Sequence, residues 1–155
     1  MKKMLCLFIL LYNFISPDTI IAQSAGSKAE LIGVFDGRTP CQELAKQFNE
    51  PVTADCFKIK WRLTLYKNGA DTNTGTYTLE GFRYKGDKTL KGTWQLIKGA
   101  KANPNAVVYK LSNDVKGNLY FMKADDDVLF FLDGDKNIRI GNRLFSYALY
   151  NTMND

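Results

Sequence analysis

The 155-residue chain has no histidine at all. That removes the side chain most used as a general base and the commonest metal ligand. Ser-His-Asp and Cys-His arrangements cannot be built, and neither can a histidine-based copper or zinc site. Clustered positive charge is missing as well. The 21 basic and 16 acidic residues are interspersed, with the basic ones alternating with apolar positions as on solvated faces. Tracking a phosphate backbone needs basic residues gathered together, so no nucleic-acid partner is expected. Cysteine is scarce, with only Cys6, Cys41 and Cys56. Carboxylates remain for acid/base work, but no arrangement of them points to a reaction. The chain is read as a non-enzymatic protein with no cofactor.

At the N-terminus, Lys2-Lys3 precede an apolar run from Met4 to Tyr12, and Ile20-Ile21-Ala22 place a small residue before Gln23. A basic start, a short apolar core and a small-residue exit are the three parts of a secretory signal. Asn13 and Asp18 break the run, which is too short to span a bilayer. The expectation is therefore a signal peptide over 1–22 and a soluble exported chain with no stable membrane insertion. Cys6 follows Leu5 at the beginning of the apolar region, where a lipid-anchor cysteine does not stand, so it leaves with the signal. Removing Lys2, Lys3 and Asp18 leaves 19 basic and 15 acidic residues, a mature net charge of +4.

After a flexible segment over 23–30, one domain is expected over 31–150, followed by a tail over 151–155. With 45% apolar residues it is large enough to bury a core. Residues 31–38 read as a first strand. Thr39, Pro40 and Gln42 then read as a helix start, with Thr39 as cap and Gln42 returning the capping bond. Leu44 and Phe48, four apart, would share the inward face of two turns that Pro51 ends.

From Phe57 to Leu65 every odd position is apolar, the pattern of an antiparallel strand over a core. Asn68-Gly69 marks a hairpin. Further strands are expected at 75–82, 89–97, 107–111, 118–122, 128–132 and 144–150. A turn at Lys85-Gly86-Asp87 and a loop over 99–105 separate some of them. About eight strands with short turns favour an all-β, closed antiparallel barrel with a short helical insert after the first strand, and a two-sheet sandwich is the alternative.

In an exported domain two cysteines usually pair, which makes a Cys41–Cys56 disulfide the leading reading. Cys41 in the first turn of a helix could instead be a reactive thiolate. The pair could also hold Cu(I) through sulfur, with a methionine as further ligand. Asp133-Gly134-Asp135-Lys136-Asn137 resembles the start of a calcium loop, but Ile138 stands where the loop needs glycine and Leu144 where it needs glutamate, so a hairpin turn fits better. Asp125-Asp126-Asp127 reads as a solvated turn, with a weak cation site as the alternative. Trp61, Tyr77, Phe82, Trp94, Tyr109, Phe121, Phe131 and Tyr147 are spread over nearly every strand. Core packing is the expected role, and a barrel holding one small apolar ligand is the sharper alternative.

The run Phe35-Asp36-Gly37-Arg38-Thr39-Pro40-Cys41, then Ala54-Asp55-Cys56, then Ile59, Trp61, Leu63 and Leu65, resembles the N-terminal domain of NlpE-type envelope proteins. Gly75 to Leu79, Gly92-Thr93-Trp94, Leu132-Asp133 with Ile138, and Tyr147-Ala148-Leu149 fall in that family's order. The resemblance implies a lipocalin-like barrel and a place in envelope stress or copper tolerance, with an envelope protein as partner. The family's tight Cys-x-x-Cys is split here by residues 42 through 53, and its lipid-anchor cysteine is missing.

Overall fold

The computed structural model describes residues 29–81 and 89–153. Eight strands follow one another in the order β1 (Glu30–Pro40), β2 (Lys58–Asn68), β3 (Asp71–Glu80), β4 (Leu90–Ala100), β5 (Asn103–Asn113), β6 (Gly117–Lys123), β7 (Val128–Leu132) and β8 (Ala148–Asn151). Each pairs antiparallel with its neighbours, and β8 returns to β1 through Gly37 opposite Leu149 and Phe35 opposite Asn151. The sheet is a closed barrel, so the sandwich alternative falls.

Period-two alternation puts one face of each strand inside. Ile59, Trp61, Leu63 and Leu65 of β2 are all buried, as are Tyr77 and Leu79, Tyr109 and Leu111, and Phe121 and Phe131 on later strands. The inner aromatics form a continuous stack. Trp61 lies 5.5 Å from Phe48 and 5.6 Å from Phe131, and Phe131 lies 4.4 Å from Phe121. Gly75 of β3 and Gly81 just after it leave room for two of the indoles. A Cβ at Gly75 would strike the Trp94 ring opposite, and one at Gly81 would strike the Trp61 ring. A second, smaller cluster sits on the outer side, where Ala100, Ala106, Val108 and Leu132 are buried against Tyr120 and Met122.

Between β1 and β2 the chain forms one short helix, α1 (Gln42–Gln47). The capping expectation is corrected here. β1 runs on through Pro40, the residue at the cap is Cys41, and no side chain caps the helix. Thr39 is unavailable because its hydroxyl accepts a 2.8 Å hydrogen bond from the buried Trp61 indole. The Gln42 amide instead donates to the carbonyls of Thr53 and Cys56, at 3.0 and 2.9 Å. The helix ends before Pro51, with Asn49 at φ 51°. The inward face holds as expected, with Leu44 and Phe48 buried.

Most strand boundaries shift by one to four residues from the sequence pattern, β3 for instance beginning at Asp71, and three of the differences have a clear local reason. The stretch over 99–105 is a tight hairpin between β4 and β5, accommodated by Gly99 at φ 99°, and not a loop. β8 begins at Ala148 and runs through Asn151, so Leu144, Phe145 and Ser146 belong to the preceding loop and Leu144 is exposed. Phe57 precedes β2 and is 62% exposed, because the chain has not yet entered the barrel wall there. The expected signal segment with Cys6, Phe82 and the Lys85-Gly86-Asp87 turn lie outside the described residues.

Candidate functional site

Cys41 and Cys56 form a disulfide across a sequence separation of 15, with their Cα atoms 5.8 Å apart. The bridge closes the base of the insert that carries α1. Three side chains from the barrel further fasten that insert over its end. Lys116, in the β5–β6 turn, donates to the Phe48 carbonyl at 2.6 Å and pairs with Glu50 at 2.9 Å, both side chains being largely buried. Tyr147 donates to Glu43 at 3.0 Å. Arg139 donates to Gln47, lies 3.6 Å from Glu43 and stacks its guanidinium 5.7 Å from the Tyr147 ring. Burial and the Glu43 carboxylate together push the Tyr147 phenol up to about 12. The helix is thus a latched lid.

Below the lid the interior is occupied by side chains. Trp94, Tyr77, Phe48, Phe121 and Phe131 rank among the largest fully buried residues. The Tyr77 hydroxyl is buried without a hydrogen-bond partner, and burial pushes its pKa up to about 12.

A cleft of about 680 Å³ lies instead on the outer wall. Its floor is the outward face of β1, β2 and β3, carrying Asp36 and Arg38, Lys60 and Arg62, and Glu80. Tyr150 of β8 and, from the loop before it, Leu144, Phe145 and Ser146 also line it. Asn142 fixes that loop, its carboxamide oxygen accepting from the backbone N–H groups of Leu144 and Phe145 at 2.9 Å each. Phe145 packs 6.1 Å from Phe57, and the Lys58 ammonium lies over both rings. On the floor, Asp36 holds Arg62 in a two-point ion pair at 2.8 and 2.6 Å, which raises the Arg62 pKa further. Arg38 and Lys60 stand directly opposite each other in register, and neither is ion-paired to a described residue.

No family model, curated protein or solved structure matches this chain.

Among the remaining candidates from the sequence, Asp133 spends its carboxylate on the Asn137 side chain and on the backbone N–H groups of Asp135 and Asn137, which makes a turn. These bonds hold its pKa below the usual carboxylate range. In the acidic run, Asp126 pairs with Lys123 and Asp125 accepts from the Asp127 backbone. No group of three or more metal-binding side chains is gathered among the described residues. A Cu(I) site on Cys41 and Cys56 would need both as thiolates, and the bridge removes both. The outer cleft escaped the sequence reading. Its only local signal is the apolar pair of exposed Leu144 and half-buried Phe145, which continue the pattern of the strand that follows.

Proposed function

We propose that the chain is an exported, non-enzymatic barrel of the NlpE-like type that serves the cell envelope as a binding protein, in envelope stress or copper tolerance. The observation that carries this reading is the Cys41–Cys56 bridge at the base of the latched lid. Disulfides persist in oxidising compartments, which agrees with a signal peptide cleaved after Ala22. The bridge also supports the family resemblance. NlpE-type proteins carry their two cysteines in one tight turn, and here the twelve residues 42 through 53 fold out as the lid while the cysteines still meet. With large side chains filling the interior, binding is assigned to the outer wall and not to a ligand inside the barrel. Copper, in this reading, is tolerated through envelope maintenance and not by sequestration on the bridged sulfurs.

The test is genetic. A host strain lacking the chain should lose tolerance of copper salts or of envelope-perturbing detergent. The full chain should restore it, and a chain lacking residues 1–22 should not. Equal tolerance in all three strains would overturn the proposal.

A further inference from the structure

The outer cleft carries an electrostatic arrangement that folding alone does not account for. Arg38 and Lys60 are a directly opposed cross-strand pair of like charge, which costs stability in a sheet. The two carboxylates on the same floor do not relieve it. Asp36 is committed to Arg62, and Glu80 lies opposite Arg62 on its other side. Two cations are thus left facing a cleft whose rim, Leu144 and Phe145, is apolar and held in place by its own turn. A volume of about 680 Å³ lies in the range of small-molecule sites.

We propose that this cleft binds a small anionic amphiphile. Its carboxylate or phosphate sits between the Arg38 guanidinium and the Lys60 ammonium, and its apolar body lies along Leu144, Phe145 and Tyr150. An anion placed there turns the like-charge contact into two charge-assisted hydrogen bonds. The ligand also covers apolar surface that the fold leaves open. Arg38 supplies the planar fork that suits an oxyanion, and Lys60 supplies the point charge. The inference deepens the binding role proposed above by naming the class of ligand for the outer wall.

The test is calorimetric titration of the purified chain with dodecanoate, below its micelle-forming concentration, and with dodecanol as the uncharged counterpart. Dodecanoate should bind about tenfold or more tightly than dodecanol, the equivalent of one charge-assisted hydrogen bond. Arg38→Gln and Lys60→Gln should each weaken dodecanoate by a similar factor, whereas Lys101→Gln, in the β4–β5 turn, should not change it. In the absence of ligand both cleft variants should melt no lower than the unaltered protein, because each removes a repulsion. Equal affinity for acid and alcohol, no binding of dodecanoate, or undiminished binding by both cleft variants would overturn the inference. Failure here leaves the envelope proposal standing, whereas dodecanoate binding by a chain dispensable for envelope tolerance would do the reverse.

Discussion

The Lys116 ammonium reaches across 68 positions of sequence to the Phe48 carbonyl, at 2.6 Å, and so ties the β5–β6 turn to the end of α1. A six-residue helix cannot hold its shape alone, because nucleation costs more than two turns return. Its order comes from packing and from such ties.

Lys116→Met should therefore destabilise the protein by about 2 kcal/mol, since it takes one cationic partner from a largely buried Glu50 carboxylate and from the Phe48 carbonyl. Urea unfolding measures the loss. Hydrogen exchange should show faster opening over 42–50, with little change in β2 and β3. Unchanged exchange there would mean that the disulfide and the Leu44–Phe48 packing hold the lid without help.

Removing the bridge with Cys41→Ala and Cys56→Ala together should cost about 3 kcal/mol, the chain-entropy value for a loop of this length. The barrel should still form, because its core rests on packing of residues such as Leu44, Phe48 and Trp61, all buried. A double variant as stable as the parent would remove the structural role given to the bridge.

Much of this architecture was legible in local pattern. The unbroken alternation from Ile59 to Leu65 lies within β2, and about eight strands joined by short turns led to a closed barrel. What was not legible depends on partners distant in sequence. Thr39 looked like a helix cap, but Trp61 takes its hydroxyl from 22 residues away. Leu144 and Phe145 looked like the opening of the last strand because apolar residues on the rim of an outer cleft and in a core read alike. The cleft draws on β1, β2, β3, β8 and one loop, and no segment of sequence holds that combination.

Gly75→Ala should distort the barrel wall. The added Cβ meets both the Tyr66 carbonyl and the Trp94 indole, whose N–H bonds that same carbonyl at 2.9 Å. Overpacking of this kind costs about 1–3 kcal/mol. The shift should also appear in the fluorescence of Trp94, compared in a Trp61→Phe background. An unaltered spectrum with full stability would contradict the fit between glycine and indole.

Alkali offers a test of the buried phenols. Tyr77 and Tyr147 both titrate near 12 in the folded protein, against 10 for a free phenol. The folded chain therefore holds these protons more tightly than the unfolded one. Stability is intact below pH 10 and falls as pH rises from 10 towards 12. Tyr77→Phe also removes a buried hydroxyl that has no partner. It should equal or exceed the parent in stability at pH 7 and lose less between pH 10 and 12, as followed by melting temperature. A variant that loses as much as the parent would show that the Tyr77 phenol is not the group responsible.

The central claim, an exported barrel braced by one disulfide, is tested most directly by the intact mass of the protein recovered from its native cell, alkylated with and without prior reduction. The account predicts a chain beginning at Gln23 that takes up no alkyl group before reduction and two after it, at Cys41 and Cys56. A full-length chain beginning at Met1, with Cys6, Cys41 and Cys56 all alkylated without reductant, would contradict it.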